Sequence, residues 1–286
     1  MSKYQIITDS AAYLHGVTDN RLTVIPYQIN IDGTIYQEGI DITRDNYLPL
    51  FKKAQHMPQL IAPSVQDFEL AYRQALKKSD VIIVIVTSRE ITQSWQNAMT
   101  ASQNIGHKNI IVLDSQSVSA GQGILVKLAL KITTQPQDID EIIRLLRGAR
   151  EQIFTLYYVE NMDYLHHNGI MSLSHTFLGT MLGLNPVLTI EEGHIVPIEK
   201  VKNRTQAIER LVEFIIEFTD IEELIILQSQ PVITDIILQF NERLVQEFPH
   251  QQFTFVRYNP SLAVLLGTDV ISVCIHENEW ENDDLT

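Results

Sequence analysis

The sequence predicts two α/β domains, an N-terminal one built on a parallel, Rossmann-like sheet and a C-terminal one of mixed α+β character. Three observations carry this. Short β-branched runs alternate with helical patterns through the first half, the signature of βαβ units. The run VIIVIV at 81–86 is apolar without alternation, so both of its faces should be buried in a sheet covered by helices on each side. From about residue 154 the texture changes to extended runs separated by long amphipathic helices. The expected divisions are 1–153, 154–276 and an acidic tail at 277–286.

The elements follow in order. YQIIT at 4–8 is the first strand, and LTVIPYQINIDGTIYQEG reads as two extended pieces joined at Asp32-Gly33, a hairpin turn signal because glycine accepts positive φ. In APSVQDFELAYRQALKKSD, Ser64 can cap a helix whose apolar face is Val65, Phe68, Ala71, Tyr72 and Leu76. That helix delivers the chain into VIIVIV. TQSWQNAMTAS is a further helix, NIIVLDS at 109–115 a strand, and ILVKLALKI a helix entered through the small-residue loop QSVSAGQG. In the second half FTLYYV, PVLTI and HIVPIEKV are extended, with Gly193 as a hairpin turn between the last two. RTQAIERLVEFIIEF and PVITDIILQFNERLVQEF are helices, and ELIILQS, QFTFVRY and VISVCI are strands.

Composition narrows the function classes. The chain has 286 residues and is 45% hydrophobic, enough for a sizeable core. Its 21 basic and 35 acidic residues give a net charge of -14, which repels a phosphate backbone or an anionic membrane, so no nucleic-acid partner is expected. Five of the acids lie in the last eleven residues, HENEWENDDLT, which read as a solvated tail. The single cysteine, Cys274, forms no intrachain disulfide. With no apolar signal core at the N-terminus and no run long enough to span a bilayer, a cytoplasmic protein without a membrane span is expected.

Three strands end alike, at Asp9-Ser10, Thr87-Ser88 and Asp114-Ser115. Ligands of open parallel sheets bind outside the carboxyl ends of the strands, where helix N-termini offer free amides. Such hydroxyls could grip a polar head group, although the ordinary role of Ser, Thr and Asp at these turns is helix capping. Enzyme motifs are missing: GQG at 121–123 is followed by Val126 where a dinucleotide fingerprint needs its third glycine, and no GxxxxGK[ST], GxSxG or HExxH occurs. His166 and His167 are adjacent, so on a helix they diverge and cannot easily share a metal. No metal or cofactor is expected.

Longer stretches resemble one family. IITDSAAYL is similar to the ITDSTADL opening of DegV proteins, and VIPYQINIDGTIYQEGIDIT to their VPL...GxxYxDGxDI segment. APSVQDFELAY resembles the latter half of TSQPSPxDF, EITQSWQNA sits where they carry LSGTYQSA, and VLDSQSVSAGQGILV matches VxDSxxxSxGxGxLV. LHHNGIMSLSHTFLGTMLGLNPVLTIEEGHIVPIEKVKNRTQAI follows their LKKGGRIS...LGSLLxIKPIL...GxxxPxEKVRxRxxAI pattern. The resemblance implies a carrier, not an enzyme, that holds a long-chain fatty acid or another lipid between its domains with the tail in an apolar tunnel. It also implies a separate kinase subunit as partner. The carried-over head-group residues are Thr92 and Ser64, with Ser88 and Arg89 beside them. Asp9, Ser10, Asp114 and Ser115 are the expected cleft floor, and Leu178, Met181 and Leu182 the tail lining, their ordinary reading being helix core.

The departures fall on the head group. Leu60 and Ile61 stand where the family has hydroxyls, Leu265 where it has a histidine, Ile170 for an arginine and Asn185 for a lysine. An aliphatic side chain cannot donate to a carboxylate, so an altered head-group preference is expected. Arg89 could grip a carboxylate with two N–H groups, or simply pair with Glu90 in solvent. Two other readings stay open: an enzyme acting on a small polar metabolite at Asp9, Ser10, Asp114 and Ser115, and a protein whose cavity is filled by Leu60, Ile61 and Leu265 and which acts through protein contacts.

Overall fold

The computed structural model describes residues 3–135, 138–230, 234–249, 253 and 255–278, so the expected acidic tail lies outside the described residues from position 279 onward. The chain divides into two compact units. The first is Met1–Glu151 together with Glu192–His194 and Asn259–Ser261; the second is Gln152–Glu191, Ile195–Tyr258 and Leu262–Thr286. Two short segments from beyond residue 153 thus pack with the first unit.

The first unit runs β1 (Tyr4–Asp9), β2 (Leu22–Ile25), β3 (Gln28–Ile31), β4 (Thr34–Gln37), α1 (Tyr47–Lys53), β5 (Gln59–Ile61), α2 (Val65–Ala75), β6 (Val81–Val86), α3 (Ser94–Ile105), β7 (Ile110–Asp114), α4 (Ala120–Ile132) and α5 (Ile139–Glu151). A parallel sheet has the order β2-β1-β6-β7, and every residue of β1 and β6 is buried, as unbroken apolarity requires of central strands. Phe68, Ala71, Tyr72 and Ala75 of α2 pack with Ala98 and Ala101 of α3 on Ile82, Val84 and Val86. Of the α2 face expected from periodicity, Phe68, Ala71 and Tyr72 are buried and Val65 and Leu76 pack partly buried against the cluster, while Ala75 joins it in addition.

The extended stretch at 22–38 forms three strands rather than two pieces. It breaks at Pro26, which has no N–H for a ladder; β2 joins the parallel sheet, while β3 turns into a small antiparallel sheet of order β4-β3-β5. The hairpin turn is where the sequence predicts it, with φ of 49° at Asp32 and 88° at Gly33. Gly123 on α4 is required sterically: a Cβ there would lie 2.1 Å from the carbonyl oxygen of Tyr13, whose N–H donates to Ser119 O at 2.9 Å.

The second unit runs β8 (Ile153–Val159), α6 (Asp163–His167), α7 (Leu173–Met181), β9 (Asn185–Glu191), β10 (His194–Val201), α8 (Arg204–Ile216), β11 (Ile221–Gln228), α9 (Asp235–Glu247), β12 (Phe255–Arg257), α10 (Pro260–Leu266) and β13 (Val270–Glu277). The sheet order is β10-β9-β8-β13-β11-β12, with β11 and β12 parallel and the other pairings of β8, β11 and β13 antiparallel. The apolar faces of α8 and α9 cover one side of it with Leu211, Ile215, Phe240 and Leu244. Helix α7 is the exception to core packing, since Thr176 is its only buried residue.

Candidate functional site

The carboxyl edge of the parallel sheet gathers a buried polar network around Asp9. Its Oδ2 accepts from Thr87 N at 2.9 Å and Ser94 Oγ at 2.6 Å, and its Oδ1 from Thr87 Oγ1 and Gln122 Nε2, each at 2.9 Å. Asp9 is fully buried. Burial raises its pKa above the usual carboxylate value, and the bonds from Ser94, Gln122 and Thr87 oppose that rise. These donors come from the turn after β6 and the first turns of α3 and α4, so one carboxylate ties three elements together.

Above this network lies the hydroxyl pair Tyr27 and Thr92, 2.7 Å apart. Burial, and then the negative charge of Asp9, push the Tyr27 phenol well above its ordinary value, so it stays a neutral O–H donor. When Tyr27 donates to Thr92 Oγ1, which also accepts Ser94 N at 3.3 Å, the Thr92 proton is free to be donated onward. Thr92 is half-buried.

A second buried carboxyl, Glu38, holds a neighbouring network. Ser10 Oγ donates to Glu38 Oε2, Tyr27 N donates to Ser10 Oγ at 2.8 Å, and Ser261 N donates to Glu38 Oε1 at 2.7 Å. Asn259 Nδ2 donates to Ser10 O at 2.9 Å, so the segment 259–261 is stitched onto the first unit. Desolvation raises the Glu38 carboxyl to about 7 despite these bonds.

The other expected head-group residues are engaged differently. Ser64 caps α2 in a reciprocal capping box: Asp67 N donates to Ser64 Oγ at 3.2 Å and Ser64 N to Asp67 Oδ2 at 2.8 Å. Ser64→Ala is therefore expected to lower stability by about 1 kcal/mol, a shift that a urea denaturation series resolves. Ser88 Oγ donates to Gly193 O at 2.8 Å and fixes the tip of the β9–β10 turn, which packs with the first unit. Arg89 is half-exposed, bonded to Glu90 at 3.1 Å, 3.4 Å from Asp114 Oδ2 and stacked over Trp95 at 5.6 Å.

The expected floor thus divides. Asp9 and Ser10 belong to the two networks above, whereas Asp114 faces Arg89, and Ser115 Oγ donates to Ser117 O at 3.0 Å. Leu60 and Ile61 lie on β5 against β3, with Ile61 exposed. Sequence reasoning missed Tyr27, Glu38, Ser94 and Gln122. They are far apart in sequence, and only the fold makes them neighbours. Ser94 alone carried a signal, standing two residues after Thr92 in the segment aligned with LSGT.

Within the second unit, a cavity of about 400 Å³ opens between the α6–α7 region and β9–β10. Met162, Met171, Leu184, Pro186 and Ile198 line it, with His175, Glu199 and Lys200 as polar members. The residues of α7 that face it are His175 and Gly179. Leu178, Met181 and Leu182 are not in this lining and are 54%, 68% and 68% exposed. Leu265 is buried on α10, where its carbonyl accepts Asn168 Nδ2 at 3.2 Å. His166 and His167 are exposed. Among the described residues no group of His, Cys, Asp or Glu is arranged to hold a metal, and no helix is long and apolar enough to cross a membrane.

Comparison with known proteins accounts for this architecture. A family model described as "Uncharacterised protein, DegV family" matches residues 3–278. A DegV domain-containing protein of Halalkalibacterium halodurans is 27% identical over 280 residues, covering 96% of this chain and 98% of its own. The crystal structure of a fatty acid binding DegV family protein from Streptococcus agalactiae superposes with a TM-score of 0.88 at 26% identity, covering 98% of this chain and all of that one. The Fatty Acid Kinase (Fak) B3 protein of Streptococcus pneumoniae, solved loaded with linoleic acid, shares the fold with a TM-score of 0.81 at 15% identity, covering 96% of this chain and 100% of that one. With the model matched along nearly its whole length and the two-unit α/β architecture shared, this chain belongs to the DegV family.

Proposed function

We propose that this protein binds a long-chain fatty acid, or a lipid of closely similar shape, and carries it without itself transforming it. The observation that bears most weight is the cavity of about 400 Å³ in the second unit, walled by Met, Leu, Ile and Pro side chains, a size and lining typical of apolar ligand sites. The description of the Streptococcus agalactiae relative as fatty acid binding supports the same reading.

In this reading Thr92 is the principal head-group donor, with Tyr27 behind it holding the hydroxyl in its donating orientation. Ser64 and Ser88 contribute through the backbone they fix, because their hydroxyls are already bonded. Asp9 acts from below, holding Thr87 and Ser94 in place. The fatty acid kinase name of the Streptococcus pneumoniae neighbour supports a partner kinase subunit acting on the carried acid. The cytoplasm is the compartment such a role implies.

Calorimetric titration with palmitate tests the assignment. Thr92→Val is expected to weaken binding about ten-fold, near 1.4 kcal/mol for one lost charge-assisted hydrogen bond. Tyr27→Phe should weaken it less, since Thr92 itself remains. Palmityl alcohol should show a smaller Thr92 effect, because no charge is being held. Wild-type affinity in the Thr92→Val protein would remove Thr92 from the head-group role.

A further inference from the structure

The parallel sheet ends on one side at β7, and its outer edge is unpaired among the described residues. The ladder phase shows which groups face outward. Ile82 N donates to Asn109 O and Ser115 N to Val86 O, so the odd-numbered residues of β7 bond to β6. The peptide groups of Val112, with the carbonyl of Ile110 and the N–H of Asp114, therefore point away from the sheet. Helix α5 runs alongside this edge, and two adjoining cavities of about 580 and 190 Å³ lie between them. Arg147 stands in the walls of both, which follow one another along the strand, Lys108, Asn109 and Ile111 lining the first and Val112, Leu113, Asp114 and Ser115 the second.

The groove floor is apolar, with Ile111 and Leu113 from β7 facing Ile143 and Leu146 from α5. Its rim is basic. Four cations, Lys108, Arg144, Arg147 and Arg150, outnumber the two carboxylates in its walls, Asp114 and Asp140, in a chain whose net charge is -14. Arg144 and Arg150 pair with Glu141 and Glu151 at 2.7 and 2.8 Å, exchangeable surface pairs worth little. Arg147, exposed at the junction of the two cavities, has no ion-pair partner among the described residues.

We propose that this edge is a docking site for an extended acidic peptide segment of another protein, added to β7 as a further strand. Its backbone would bond to Val112, Ile110 and Asp114, one row of its side chains would enter the groove, and its carboxylates would meet Arg147 and the neighbouring α5 arginines. Pairing with a second copy is disfavoured because a two-fold axis at β7 would set one basic rim against the other. The site lies wholly within the first unit and is independent of lipid binding.

The test uses the full chain and a fluorescein-labelled peptide of alternating glutamate and valine, seven residues long. Anisotropy should show salt-sensitive binding that weakens at least ten-fold in Arg147→Glu and ten-fold or more when Lys replaces the peptide glutamates. Hydrogen exchange should slow at the Val112 and Asp114 amides on binding, and N-methylation of alternate peptide amides should abolish it. No binding, equal binding of the lysine peptide, binding indifferent to Arg147→Glu, or unchanged exchange at Val112 would each overturn the proposal. So would protection of these amides through self-association at rising protein concentration, which would assign the edge to a second copy. Arg147→Asn, which removes the charge without adding the opposite one, should give an intermediate loss if the arginine acts by charge.

Discussion

Asp9→Asn is expected to destabilise the first unit by about 3 kcal/mol, among the largest effects of any isosteric substitution in this chain. The native carboxylate accepts four hydrogen bonds and donates none. An amide presents a single acceptor oxygen, so in either orientation its NH₂ group must face donors that it cannot accept, and these lose their partner inside the core. Ser94→Ala, which removes one donor and leaves the acid its other three bonds, should cost about 1 to 2 kcal/mol. Denaturation in urea separates the two, and equal losses would show that the network is not centred on Asp9. Because Thr87 and Ser94 border Thr92, Asp9→Asn should also weaken palmitate binding at temperatures where the protein remains folded.

A pH dependence centred on Glu38 is the second large effect. Its carboxyl rises from 4.5 to about 7 in the folded chain, so between those values the folded protein holds a proton that the unfolded chain has released. The native state is then the better proton binder, and stability falls as pH rises through this window. A rise of this size corresponds to roughly 3 kcal/mol, fully present below the unfolded value of 4.5 and lost as pH rises through about 7. Glu38→Gln should remove this slope while keeping an oxygen for Ser261 N, making the variant relatively more stable at pH 8 than at pH 5. Asp9 is the neighbouring buried acid, its charge adds to the Glu38 shift, and it titrates in both proteins. Parallel stability profiles for the two proteins would show that Glu38 does not titrate in this range.

How much of this was legible beforehand depended on whether a signal was local. The strand at 81–86, the helix with Ser64 as its cap and the Asp32-Gly33 turn are set by neighbours in sequence, and each lies where periodicity or turn chemistry predicts. The break at Pro26 had a local cause too, but its consequence, strand β3 leaving the parallel sheet, depends on pairing with residues 59–61. The site was less legible for the same reason. Asp9, Thr87, Ser94 and Gln122 converge from four places in the chain, and nothing around Gln122 distinguishes it from a surface glutamine. Helical spacing put Leu178, Met181 and Leu182 on one helix, but it cannot say whether that helix turns them toward a cavity. The α7 residues lining the cavity in the second unit are His175 and Gly179.

The carrier reading itself is tested most directly by native mass spectrometry of the full chain purified under mild conditions, followed by organic extraction and identification of any released ligand. The expected result is an adduct in one-to-one ratio whose mass matches a long-chain fatty acid, recovered intact on extraction and restored by adding palmitate to the stripped protein. A chain that arrives at its bare mass and takes up no acyl ligand at any ratio would contradict the account.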